Sequence, residues 1–188
     1  MEFGQILKSI FDFVLDFLET IIVALAIFTF LYLFIFQPHQ VNGQSMYPTF
    51  HDGDYLLTNK MVYRFEEPKQ GDIVIFRAPN HEEYDYIKRI IALPGDKVKI
   101  TDSKFYVNGY PLDESKYLDS SVITFGERYL QEGVEVTVPS NTYFVAGDNR
   151  PHSSDSRDFG PVPKGNIVGK AWIRYWPPKS IGVINHEN

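Results

Sequence analysis

The chain has 188 residues, enough for one moderate domain with length left over for an anchor or a tail. Its formal net charge of −6 argues against nucleic acid as a main partner, because phosphate binding relies on Lys and Arg. With no cysteine, disulfides, thiolate chemistry and cysteine-ligated metal are excluded, although the compartment is not fixed by that.

Residues 5–19 place apolar side chains at helical spacing, with Lys8, Asp12, Asp16 and Glu19 on the other side. They are read as an interfacial or cytoplasmic extension of the helix that follows. From Thr20 to Phe36 the chain contains no charge, no Pro and no Gly. As a helix this run spans about 25 Å at roughly 1.5 Å per residue, the short end of what crosses a bilayer core. It lengthens backwards through Phe17 and Leu18, and Pro38 supplies a stop. A buried helix of a soluble domain would show a polar face, which this run lacks. A cleaved secretory signal would start basic and end in small residues. Here Glu2, Asp12, Asp16 and Glu19 face only Lys8, and Val41 with Gly43 makes a weak cleavage site. An uncleaved anchor fits best, and its orientation is not readable from charge.

After Pro38 short β-rich runs alternate with turn residues: Tyr55–Leu57, Asp72–Phe76, Ile87–Leu93, Val98–Ile100, Phe105–Val107, Val134–Val138, Tyr143–Ala146 and Ile167–Ile173. Asp52-Gly53, Pro94-Gly95, Asn108-Gly109 and Gly147-Asp148 mark turns between them. No long helical period follows Val41. The expected fold is mainly β: an antiparallel Greek-key or barrel-like domain with a small β insertion, preceded by one N-terminal transmembrane helix. Residues 1–37 are expected to form the leader and anchor and 38–188 the β-domain. Within it, residues 102–135 are expected to be a loosely tied insertion or small extra sheet.

Three clusters can carry chemistry. In Asn42–Phe50, Gly43 permits unusual backbone angles ahead of Ser45, Pro48 stiffens the loop, and Met46 offers a flexible apolar wall. Such a loop can present a hydroxyl and amide protons to a carbonyl, although a lone Ser beside Gly is more often a plain turn. A serine nucleophile needs a base. None of His39, His51, His81, His152 and His186 shows an obvious pairing with Asp in sequence. The other candidate is a lysine kept neutral by burial. Lys88, flanked by Tyr86, Ile87, Ile90 and Ile91, has that setting, and strand alternation puts Arg89 on the opposite face, in solvent. A surface Lys-Arg pair is the commoner outcome for such a dipeptide. The third cluster, Gly147–Gly160, reads first as a solvated loop, and it lacks the acidic spacing of a calcium loop. Buried near Lys88, it would supply a serine to hold the amine and an Asp155–Arg157 ion pair to brace the turn.

The order of these pieces resembles the bacterial signal peptidase I family. An apolar run precedes SMYPT (Ser45–Thr49), followed by GDIVIF (Gly71–Phe76), YIKRIIALPGD (Tyr86–Asp96) and GDNRPHSSDSRDFG (Gly147–Gly160). The resemblance covers nearly the whole chain, with residues 102–135 matching the family's variable β-region in placement only. It implies Ser45 as nucleophile and Lys88 as general base, Ser153 bonded to the lysine, and Asp155 with Arg157 as the supporting ion pair. It also implies that Val41, Met46 and Ile87, with Asp85 nearby, line the pockets for substrate residues −1 and −3. Gly43 departs from members that carry an oxyanion-donating serine there, which leaves the Ser45 amide as chief donor.

The implied protein cuts signal peptides from exported preproteins after small residues, using no cofactor and no metal. The resemblance places it in the cytoplasmic membrane as a single-pass protein with the catalytic domain on the extracytoplasmic side. Its partners are preprotein signal peptides, the lipid bilayer and, indirectly, the export machinery, with no nucleic acid. Two alternatives stay open: a soluble-type self-cleaving Ser/Lys peptidase, and an anchored β-domain that binds exported peptides without cutting them.

Overall fold

A computed structural model of the chain describes residues 2–79 and 81–186. Met1, Asn80, Glu187 and Asn188 lie outside the described residues, as do the side chains of Glu2, His81 and Glu82. The predicted outer ends of segments 1–37 and 38–188 therefore fall on positions not described.

The N-terminal apolar sequence forms one continuous rod, helix α1 (Glu2–Phe30) closed by a wider π-helical turn at Leu31–Ile35. Its apolar side chains stand exposed along its length, and Phe3–Ile35 is long and apolar enough to cross a membrane. The chain then passes straight into a strand with no spacer, β1 (Phe36–Gln40). The sequence reading carried the helix to Phe36 and missed this strand. Pro38 lies inside it, tolerated because β1 is an edge of its sheet. Lys60 fastens the junction: its amide donates to Ile35 O (2.9 Å) and its ammonium to Leu33 O (3.0 Å). Phe36 stacks on Trp172, with ring centroids 5.1 Å apart.

The remaining elements are β2 (Tyr55–Asn59), the short turn α2 (Val62–Phe65), β3 (Ile73–Ala78), β4 (His81–Ala92), β5 (Lys97–Thr101), β6 (Lys104–Val107), β7 (Tyr110–Pro111), β8 (Glu135–Thr137), β9 (Thr142–Ala146), the short turn α3 (Ser156–Phe159), β10 (Val162–Pro163), β11 (Ile167–Trp176) and β12 (Gly182–Val183). All described pairings are antiparallel. The larger sheet runs β1-β2-β11-β3-β4-β9-β10, with β12 beside β11; the smaller runs β7-β6-β5-β8. The larger sheet coils until β1 faces β4 across an open seam, because His39 on β1 reaches Asp85 on β4 (3.1 Å) although three strands lie between them in bonding order.

Alternation along β3 explains its unbroken apolar sequence. Ile73 and Ile75 enter one core cluster with Val41, Phe50 and Leu56, while Val74 and Phe76 enter another with Tyr143 and Val145. A third cluster joins the two sheets through Ile91, Phe144, Phe105 and Leu130. The stretch expected to be a loosely tied insertion or small extra sheet supplies β6 and β7 of the smaller sheet, and it is held firmly: buried Arg150 on the main domain binds Glu114 and Thr124, and Arg89 lies over the Tyr117 ring at 3.8 Å.

Where β2 and β11 meet, a Cβ at Gly169 would lie 2.3 Å from the Asn59 carbonyl oxygen. Gly169→Ala is expected to lower unfolding stability by about 1–3 kcal/mol, the usual range for overpacking. Thermal unfolding of the full chain in detergent reads this, and an unchanged midpoint would contradict the close approach.

Candidate active site

Gly43 adopts φ = +89°, a conformation that side-chain-bearing residues rarely take, and its N–H donates to Asp52 Oδ1 at 2.7 Å. This sets the entry of the loop that carries Ser45. Inside the loop, Tyr47 N–H donates to Gln44 O (3.0 Å) and Phe50 N–H to Met46 O (2.8 Å). From across the groove Asn149 donates twice, its amide to Ser45 O (3.0 Å) and its side chain to Gln44 O (3.0 Å). Gly147 lets the two loops touch, since a Cβ there would sit 2.4 Å from Ser45 O and 2.2 Å from Ser153 Oγ. The loop is thus held on both sides, while the Ser45 amide N–H has no acceptor among the described residues.

Lys88 Nζ lies 2.7 Å from Ser45 Oγ and 3.0 Å from the Ile87 carbonyl oxygen. With Lys88 only 4% exposed, burial pulls its amine down from the ordinary lysine value to about 8. Asp155 and Asp148 oppose that fall electrostatically, and Arg157 adds to it. A neutral amine in this position donates one proton to Ile87 O and can receive the Ser45 hydroxyl proton on its lone pair.

Asp155 is fully buried and accepts from the Gly147 amide (3.0 Å), Ser153 Oγ (2.8 Å), and Arg157 Nε (2.8 Å) and Nη2 (2.9 Å). Its side chain also caps α3 through the Arg157 amide. The expected Asp155–Arg157 pair is present, with both side chains at 0% exposure. Ser153 departs from expectation. Its hydroxyl proton goes to Asp155, a charged and stronger acceptor, and among the described residues Lys88 bonds only Ser45 and Ile87. Ser153 remains beneath the site through its contact with Gly147.

Arg89 also departs from expectation. It does point away from its neighbour Lys88, but that face is covered, and Arg89 is 2% exposed. Its guanidinium grips Asp148 with two bonds (2.9 and 2.8 Å) and donates to Gly71 O, while Thr49 hydrogen-bonds the same Asp148. Strand alternation predicts opposite faces, and it does not say which faces are wet.

Beside Ser45 and Lys88 runs a groove of about 330 Å³ in the β1–β4 seam. Val41, Leu56, Ile75 and Ile87 make its apolar floor, and Asp85 and Ser154 stand at its rim. Met46 does not line it: the loop turns that side chain inward, where it is 1% exposed in the core beneath. His39, Arg89–Asp148 and Arg150–Glu114 were missed as parts of the site. His39 pairs with Asp85 and Thr58 Oγ1 (2.8 Å), and none of its described contacts is with Ser45. Among the described residues no acidic or histidine cluster has an arrangement suited to a metal ion.

A family model described as signal peptidase, peptidase S26, matches residues 14–176. Signal peptidase I of Bacillus caldolyticus is 41% identical over 165 residues, covering 84% of this chain and 88% of the relative. Signal peptidase I V of Bacillus subtilis (strain 168) is 44% identical over 142 residues, 72% of this chain and 83% of the relative. A crystal structure of a signal peptidase I from Enterococcus faecalis V583 is 32% identical, covering 56% of this chain and 97% of that one, with a TM-score of 0.46.

Removing one member of a buried ion pair strands the other charge, which typically destabilises by about 3–5 kcal/mol. Asp155→Ala is expected to show a loss of that order in denaturant unfolding. A loss below about 1 kcal/mol, the range of exposed pairs, would mean that Arg157 reaches water.

Proposed function

This chain belongs to the signal peptidase family, peptidase S26, and from that premise we propose that Ser45 and Lys88 are the nucleophile and the general base with which it works. Its activity is that of a serine endopeptidase removing signal peptides. The observation that carries the residue assignment is the 2.7 Å approach of a buried lysine amine to an otherwise ordinary serine hydroxyl.

Neutral Lys88 takes the Ser45 proton as Oγ attacks the scissile carbonyl carbon. The resulting oxyanion faces the unused Ser45 amide N–H, a contact of the kind worth roughly 10²–10³ in rate. The Lys88 ammonium then protonates the leaving amine, freeing the mature chain and leaving an ester on Ser45. A water deprotonated by Lys88 hydrolyses that ester. Asp155 and Arg157 act through the Gly147 turn, which props both Ser45 and Ser153.

The groove suits an extended peptide. The seam-facing edge of β1 is open, and β4 pairs with β9 only from Arg89 onward, which leaves residues 85–88 without a strand neighbour on that side among the described residues. A strand laid between them turns alternate side chains toward the Val41–Leu56–Ile75–Ile87 floor, so −1 and −3 share one shallow apolar surface that favours small residues. We further assign α1 and its π-helical turn to the bilayer, as a single span with the β-domain on the extracytoplasmic side. There the preprotein signal, the lipid and the export machinery meet.

Cleavage of a preprotein bearing an Ala-x-Ala site is expected to disappear in Ser45→Ala and in Lys88→Ala, with thermal unfolding still cooperative in both. Wild-type rates in either folded variant would remove that residue from its role. The neutral amine is the active form, so kcat/KM is expected to fall about tenfold per pH unit below about 8 and to level off above it. A profile still rising at the free-lysine value of about 10.4 contradicts the assignment.

A further inference from the structure

A second cleft lies at the foot of the β-domain. It has a volume of about 270 Å³, its walls carry Lys60, Arg64 and Lys164, and Ile167 and Val168 form its apolar side. Its height relative to the helix is set by bonds already described: the Lys60 ammonium is on Leu33 O and its amide on Ile35 O, so the cleft opens where the apolar rod ends. The Asn59 side chain accepts from the Met61 and Val62 amides, so α2 begins immediately beyond that junction. From α2, Phe65 projects with 80% of its surface exposed, next to Arg64.

The charges here do not cancel. Lys164 is bound by Glu67 at 2.6 Å, but among the described residues the Arg64 guanidinium has no acidic or hydrogen-bonding partner, and Lys60 meets only carbonyl oxygens. Two cations therefore stand uncompensated at the end of a membrane-spanning helix, in a chain whose net charge is −6. A protein of that overall sign is repelled by an anionic surface unless positive charge is concentrated where the two meet. An exposed aromatic beside two cations, flanking an apolar wall, matches the headgroup boundary, where rings and basic tips share one depth.

We infer that the Lys60–Arg64–Lys164 cleft is a binding site for the phosphate headgroup of an anionic lipid, with Phe65 inserted among the neighbouring chains. This rests on the reading that α1 crosses the bilayer. The lipid phosphate would lie between Lys60 and Arg64, its glycerol against Ile167 and Val168. Occupancy adds a lateral contact to the one-helix anchor at the junction that Lys60 fastens.

The test uses the full-length chain in nanodiscs of phosphatidylcholine with or without phosphatidylglycerol. Native mass spectrometry then counts the lipid retained after transfer to detergent. The wild type is expected to retain phosphatidylglycerol in preference to phosphatidylcholine. At about fivefold per juxtamembrane cation, Lys60→Gln with Arg64→Gln should weaken that preference about 25-fold. Arg64→Glu, which removes no described contact, should weaken it at least fivefold and decides the matter if the double variant does not fold. Cleavage of a short detergent-soluble peptide should stay at the wild-type rate in both variants. Equal retention of the two lipids by the wild type, or unchanged preference in Arg64→Glu, overturns the inference. Displacement of the lipid by millimolar inorganic phosphate also overturns it, by showing a plain anion site. Extraction of the protein by alkaline carbonate would sink the anchor reading itself, whereas lost preference in an inserted protein sinks the cleft alone.

Discussion

Two carboxylates lie close enough to Lys88 to hold it charged, and both are already committed. Asp148 is gripped by Arg89 and Asp155 by Arg157, each through a pair of bonds in a dry interior. Arginine does not give up its proton at any accessible pH, so these carboxylates stay paired and their remaining pull on Lys88 is outweighed by its burial. Lysine, the weaker competitor, is left with a hydroxyl and a carbonyl oxygen for company. The site's chemistry depends on this unequal contest. Had either acid been free to face Lys88, Coulomb attraction would have favoured the ammonium over the neutral amine.

Buried guanidinium groups also join the two sheets. Arg150 donates to Gly147 O from below and to Glu114 on the small-sheet side, while Arg89 stacks on Tyr117. The small sheet therefore dries the far side of the charged turn, and the dryness in turn strengthens the pairing. Ser45 is reached through this assembly: Asp155 holds the Gly147 amide, Gly147 gives the Ser45 loop room to approach, and Asn149 bonds its backbone. Position and proton affinity in the site come from one buried network.

Much of this was legible in the sequence, for identifiable reasons. The apolar rod and most of the longer strands were readable because period and turn chemistry are local properties, and β3 advertised itself by being apolar on both faces. β1 was not readable: FQPHQ has no strand signature and becomes a strand only because Tyr55–Asn59 pairs with it. Ser45, Lys88, Asp155 and Arg157 could be named from order and spacing, and the structure brings them together. Arg89, Arg150 and the turned-in Met46 could not be placed correctly, because each depends on what a distant segment covers. Nothing near Arg89 announces Asp148, and nothing near Arg150 announces Glu114. His39 and Asp85 meet only because the sheet coils.

The passage from Ile35 into β1 contains no slack, since Lys60 and the Phe36–Trp172 stack fasten it from both sides. For a chain seated in a bilayer, that stiffness turns altitude into a selection rule. Five strand residues at roughly 3.3 Å each put the far end of β1, where the groove lies, at most about 17 Å from the end of the helix. On the reading proposed above, a polypeptide threaded alongside would be cut only where its scissile bond meets that elevation, and bonds of identical chemistry higher or lower would pass uncut.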